Sequence, residues 1–184
     1  MPQHLDAVAT RSDRRASVHV PPVVLLVAAG AAQRVISRSH RRTTGSTIAA
    51  AALAACSAAL AADAVLRFRR HRTTVDPMHP EAANTLVTDG ANSLTRNPMY
   101  VAMAGTLLAH ATARRSLPAL LPVAAFVAAI DLGQIRAEEA ALSAHFGDSY
   151  EAYRSEVPRW IDRRTIARAL AATGGRLTRP VAAC

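Results

Sequence analysis

The sequence predicts an all-α fold: an integral membrane bundle of about four transmembrane helices, followed by a helical C-terminal segment on the cytoplasmic side. Three observations predict the bundle. Hydrophobic residues make up 51% of the 184, yet aromatics only 4%, so a large soluble core would lack its usual bulky fillers. Four apolar stretches of roughly helical length are separated by arginine-bearing segments. The arginines, which account for all 22 basic residues, divide unevenly between the two sides that four crossings would define.

The apolar stretches are residues 18–32, 47–66, 98–113 and 117–135. A spanning helix needs about 20 mostly apolar residues, or as few as about 17. The second and fourth stretches meet that length, while the first and third are short. All are rich in alanine, and small residues let packed helices approach closely in lipid. With four spans, the N-terminal tail, the middle segment and the C-terminal segment share a side. They hold three, five and eight arginines, against four and two in the other connections. The excess of arginine on cytoplasmic loops then places both termini and the middle segment in the cytoplasm. Two other readings fit the same pattern: a soluble Ala-rich helical bundle, and a secretory signal over residues 1–32.

The chain divides into a tail (1–17), a pair of N-terminal membrane helices (18–66), a region with the information-bearing polar segments (67–161) and a basic tail (162–184). The last either lies on anionic lipid or is disordered. The net charge of +9 attracts anions in general. The arginines are scattered among apolar runs and match no nucleic-acid module, so nucleic acid is not an expected partner. The two cysteines and seven histidines have no metal-ligand spacing, and no metal is expected.

Two polar segments stand out. In residues 71–100, Asp89-Gly90 is a turn signal. Pro98 restricts Asn97 to extended geometry, so Asn97 is expected to cap the third helix with Pro98 at its first position. Arg96 and Asn97 then sit where free backbone N–H groups favour an anion. In residues 131–161, Asp131, Gln134 and Glu138 fall at i, i+3 and i+7, one face of an α-helix. Ionisable groups at the end of a span usually face the bundle interior or a wet cavity. Pro118 and Pro122 either mark the start of this helix or kink it, and Phe146-Gly147 stops it. Tyr150, Tyr153 and Trp160 gather aromatics where a membrane surface suits them. The plainer readings are an ordinary loop-to-helix entry at Arg96 and an amphipathic interfacial helix with Glu138 and Glu139 solvated.

Together the segments resemble the isoprenylcysteine carboxyl methyltransferase family and its phospholipid methyltransferase relatives. The resemblance rests on Leu86-Val87-Thr88-Asp89-Gly90, then Arg96-Asn97-Pro98-Met99-Tyr100. It continues, past an apolar hairpin, in Glu138-Glu139 with Leu142, Phe146-Gly147, Tyr150, Tyr153 and Val157-Pro158. It covers about residues 71–161, with order and gaps in agreement. It implies S-adenosylmethionine as methyl donor and a lipid-like or small-molecule acceptor. It also implies cofactor contacts at Asn84, Leu86, Val87, Asn97, Pro98, Met99, Tyr100 and Glu138. The family's substrate-binding arginine, one turn before Glu138, is Gln134 here, with Arg136 close by. Asn97 stands for a common histidine and Asn92 for a common aromatic. The site would place Arg96 on a substrate carboxylate through its planar fork, and Glu138 on the cofactor's amino or hydroxyl groups. A non-catalytic relative of the family is the alternative. The enzyme reading requires the strip ending at Tyr100 and the helix end at Glu138 to fold together around one cavity.

Overall fold

All four apolar runs are helical in the computed structural model, which describes residues 20–37, 41, 43–71, 85–163 and 165–166; among them there is no strand. Helix α1 spans Pro22–Ile36, four residues later than the apolar run suggested. The residue before a proline is disfavoured in helical geometry, so Val20 and Pro21 stay outside the helix and Pro22 takes the first helical position. Helix α2 spans Thr44–Arg70 and opens with a reciprocal cap. Ser46 N–H donates to Thr43 Oγ1 (3.2 Å) and Thr43 N–H to Ser46 Oγ (3.1 Å), satisfying two end donors at once.

Helix α3 spans Pro98–Arg114. The fourth run opens with a 3₁₀ turn at Leu117–Ala119 and continues as α4, Leu120–Ala129. A π-helical turn follows at Ile130–Ile135, then α5, Arg136–Phe146. Pro118 and Pro122 fall in the opening turns, where a missing N–H breaks no helical bond. They mark the start of the helix, and its irregularity is the π turn instead. Gly147, at φ +52°, separates α5 from α6, Asp148–Glu156; a positive φ suits glycine.

Among the described residues, two helices are long and apolar enough to cross a membrane: α2 with 27 residues and the 30-residue helix Leu117–Phe146. At 15 and 17 residues, α1 and α3 reach only about 22 and 26 Å at 1.5 Å per residue. Four full spans are therefore not established by length.

Helix α3 packs against α1, α2 and α4. A Cβ on Gly105 would lie 2.2 Å from Ser57 Oγ, so the α2–α3 crossing depends on that glycine, the close small-residue approach of membrane helices. Tyr100, Leu107, Phe126, Ile130 and Ile135 form the main core, with Leu25 and Leu26 of α1 against it. Val23, Val24, Val27, Ile48, Leu66, Leu121 and Leu132 point outward, an outer surface suited to lipid.

The two ends of the bundle are pinned differently. At one end, Gln33 is fully buried. Its amide donates to the carbonyls of Leu107 (3.0 Å) and Ala119 (2.8 Å), and its oxygen lies 2.8 Å from His110 Nδ1. A buried amide is tolerated when its polar atoms are paired, and here it joins the end of α1, the end of α3 and the start of the fourth helix. The other end, where α2 stops and α3 begins, carries the polar segments.

Candidate active site

The turn before α3 is fastened to the last turns of α2. Asp63, which the sequence shows only as an interruption of an apolar run, accepts from the Ala91 N–H at 2.7 Å. Arg67 bonds Asp89 and lies 3.4 Å from Asp63, and His71 Nε2 is 3.2 Å from Asp89 Oδ1. Gly90, at φ +59°, sits so close that a Cβ would meet Asp63 Oδ2 and Arg67 Nε, each at 2.5 Å. Both the backbone angle and the space therefore require glycine. Gly90→Ala is expected to destabilise the protein by more than about 1 kcal/mol, read as a lowered unfolding temperature in detergent.

Burial works to raise the Asp89 carboxyl, but the Arg67 hydrogen bond and charge, with His71, hold it below its ordinary value. A carboxyl whose folded pKa is depressed lends stability above its unfolded pKa, about 3.9, and loses it as pH falls through the folded value. Stability should therefore decline with acid below about pH 4, and less steeply in Asp89→Asn, as followed by thermal unfolding.

The segment entering α3 is fixed to the chain beyond α6. Arg96 N–H donates to Pro158 O (2.9 Å), Thr95 Oγ1 to Arg159 O (2.8 Å) and Asn97 Nδ2 to Arg159 O (3.1 Å). Asn97 is thus the N-cap by position, but its side chain makes no capping bond. Its amide is used on Arg159 instead, so the expected Asn97 side-chain cap is not formed. The first-turn N–H groups of Met99 and Tyr100 have no intrahelical acceptor.

Tyr100 and Glu138 come into direct contact: the tyrosine hydroxyl donates to Glu138 Oε1, and Gln134 Nε2 donates to the same oxygen at 2.9 Å. The strip and the acidic helix end do fold together, through these side chains. Asp131 does not join them. Its carboxylate accepts from Arg159 (3.2 Å) and Trp160 Nε1 (2.8 Å), so the expectation of one face for Asp131, Gln134 and Glu138 is corrected. The π turn is the reason. In an unbroken α-helix, residues eight apart differ by about 80° at 100° per residue. Widening one turn to i→i+5 bonding rotates each residue less, and Asp131 and Glu139 come to face one arginine.

Glu139 takes two arginines, Arg96 at 2.7 Å and Arg159 through Nε at 3.1 Å. Arg96 is also bonded to the carbonyls of Arg154 (2.9 Å) and Val157 (2.7 Å). Its guanidinium ties three segments together in this structure, rather than standing open for a substrate carboxylate. Tyr150, Tyr153 and Val157 form a second core with Leu86, Leu142 and Phe146, and Tyr153 Oη donates to Asn92 O at 2.7 Å. Burial raises the Tyr150 hydroxyl to about 12 and also raises Tyr153, so both stay neutral donors near neutral pH.

Among the sequence-predicted site residues, Asn97, Pro98, Met99, Tyr100, Gln134 and Glu138 lie at or beside this junction. Val87 is buried and Leu86 half-buried in the turn packed beneath it, Arg136 is exposed, and Asn84 lies outside the described residues. Sequence reasoning did not single out Asp63, Arg67 or Arg159, each of which anchors the site through partners 20 or more residues away.

The phospholipid methyltransferase family model matches residues 46–149, from α2 to the start of α6. The chain belongs to that family. The matched stretch includes Asp63, the Leu86–Gly90 turn, α3 and both glutamates, the elements that the hydrogen bonds above draw together. No curated protein and no solved structure matches the chain. Family membership and the two long apolar helices make it a membrane-associated protein of methyltransferase type.

Proposed function

We propose that this chain is an S-adenosylmethionine-dependent methyltransferase of the membrane, acting on an amphiphilic acceptor. The observation that carries the reading is the Tyr100–Glu138–Gln134 contact, which brings an uncapped helix N-terminus against a half-buried carboxylate. These two features fit different polar groups of the methyl donor. The N–H groups of Met99 and Tyr100 suit its carboxylate, and Glu138 suits its amino or ribose hydroxyl groups. Bound there, the donor would supply a sulfonium-linked methyl group, whose reactivity is its own. The chain's part is to orient it and exclude water. Tyr100 and Gln134 aim the Glu138 carboxylate, while Leu86, Val87 and Pro98 supply apolar wall.

The acceptor is better read as the amine of a phospholipid than as a prenylcysteine carboxylate. Gln134 is neutral where an arginine would bind a carboxylate, and Arg96 is engaged by Glu139. The last turn of α2 brings Arg67, Arg69 and Arg70 to this end of the bundle, which favours the cytoplasmic face. The same two residues also favour the second reading, a relative that has lost its acceptor site.

The test is incubation of the purified protein with methyl-labelled S-adenosylmethionine and vesicles bearing phosphatidylethanolamine or a prenylcysteine lipid. Label in the aminophospholipid supports the reading. Label in the prenylcysteine lipid overturns the choice of acceptor. Donor binding without transfer to any lipid points to the lost-acceptor relative, and no donor binding defeats the enzyme.

A further inference from the structure

The end of the bundle pinned by Gln33 carries arginine and no acid. Arg34, Arg41 and Arg115 are exposed there, and Arg114 is half-buried. No Asp or Glu occurs between residues 14 and 62 or between residues 90 and 130, the stretches that build this end. At the site end, the guanidinium groups of Arg67, Arg96 and Arg159 each meet a carboxylate. Here two guanidinium groups are fixed by neutral oxygens instead. Arg114 donates through Nε to Ser37 Oγ (2.6 Å) and through Nη2 to Ser37 O. Arg115 donates through Nη1 to Arg41 O (2.9 Å). These bonds set direction without neutralising charge.

Arg115 is also the one non-glycine residue with a positive φ, +51°, among the described residues. That region is unfavourable for a residue with a Cβ, and helix ends of this kind usually carry glycine or asparagine. At the end of α3 an arginine takes that place, and its side chain reaches the segment ahead of α2. The neighbours of these arginines are apolar and open. Val35, next to Arg34, is 85% exposed, and Leu117, two residues after Arg115, is 81% exposed, the highest values among the large hydrophobic residues described. A soluble anion gains nothing from such neighbours. An anionic lipid offers both a phosphate, which the planar fork of arginine bonds through two parallel N–H groups, and hydrocarbon directly beneath it.

We infer that this end binds the phosphate of an anionic phospholipid, held by Arg114 and Arg115, with Arg34 and Arg41 adding charge and Val35 and Leu117 against the tops of the chains. The site lies at the opposite end of the bundle from Tyr100 and Glu138, so it stands apart from the methyltransferase reading. A lipid seated there reinforces the joint that Gln33 makes between α1, α3 and the fourth helix.

The test is calorimetric titration of the full-length protein in a non-ionic detergent with dioctanoyl phosphatidylglycerol, dioctanoyl phosphatidylcholine and inorganic phosphate. Phosphatidylglycerol should bind more tightly than either of the others and raise the unfolding temperature, as a ligand of the folded state does. An arginine near an anionic surface contributes about fivefold in affinity. Arg34→Gln with Arg115→Gln should therefore weaken phosphatidylglycerol binding roughly 25-fold. Arg69→Gln with Arg70→Gln removes the same charge from exposed positions at the other end and should leave binding unchanged.

An unfolding curve without lipid shows whether the first variant is folded. If it is not, Arg34→Gln with Arg41→Gln, which keeps the Arg41 carbonyl that Arg115 uses, takes its place with the same expected loss. Equal affinity for phosphatidylcholine, or the same loss in the variant at the other end, would overturn the site. Inorganic phosphate binding as tightly as the lipid would overturn the lipid as its occupant.

Discussion

Glu138→Ala is expected to weaken S-adenosylmethionine binding by at least about 100-fold, because hydrogen bonds to a charged group contribute about 1.5–3 kcal/mol each and 1.4 kcal/mol is tenfold. The substitution removes the acceptor for the proposed donor's amino or hydroxyl groups. It also removes the acceptor shared by Tyr100 and Gln134, so the two side chains that aim the carboxylate lose their common partner. Glu138→Gln retains the shape and separates the effect of charge from that of packing. Titration calorimetry in detergent measures the affinity, and an unfolding curve shows whether the bundle remains intact. Unchanged affinity in a folded Glu138→Ala protein would remove this residue from the cofactor site.

The second large effect is expected at the neighbouring residue, and on stability. Glu139 and Arg96 are only 12% and 10% exposed in their side chains, and Arg159 presses on the same carboxylate. Glu139→Gln leaves the largely buried Arg96 guanidinium without its anion and Arg159 with Asp131 alone. Removing one partner of a buried pair typically costs about 3–5 kcal/mol. The loss should appear as a much lower unfolding temperature and as protease access to the chain after α6. Replacing the pair together, Arg96→Met with Glu139→Leu, should recover part of it, since matched apolar groups avoid the desolvation of the ions. A Glu139→Gln protein as stable as wild type would mean that the pair is effectively solvated.

The two glutamates thus divide the work, and the sequence made only part of that division legible. The helices were readable from apolar runs, and the stop at Gly147 from its residue type. The shifted start of α1 was readable in principle from Pro21 and Pro22, but the apolar residues ahead of them masked it. The junction of Tyr100 with Glu138 was anticipated from the family resemblance, and the hydrogen bonds now provide its geometry. What remained hidden has one physical origin. Asp63, Arg67 and Arg159 act through partners far along the chain, and a charged side chain in a sequence does not name its counterion. The π turn was hidden for a related reason, since α-helical spacing assumes a constant rotation per residue. Asn97 shows a third case: cap preference identified the position, but a competing carbonyl at Arg159 took the side chain.

That wide turn has a consequence for how such a protein can diversify. It lies between the outward-facing apolar residues of α4, such as Leu121, and the paired glutamates, so the azimuth of one is not locked to the azimuth of the other. Substitutions on that apolar face need not swing the carboxylates off their partners. One continuous rod can then serve two chemistries, oil on its upstream half and charge on its downstream half, with the slack between them taken up in six residues.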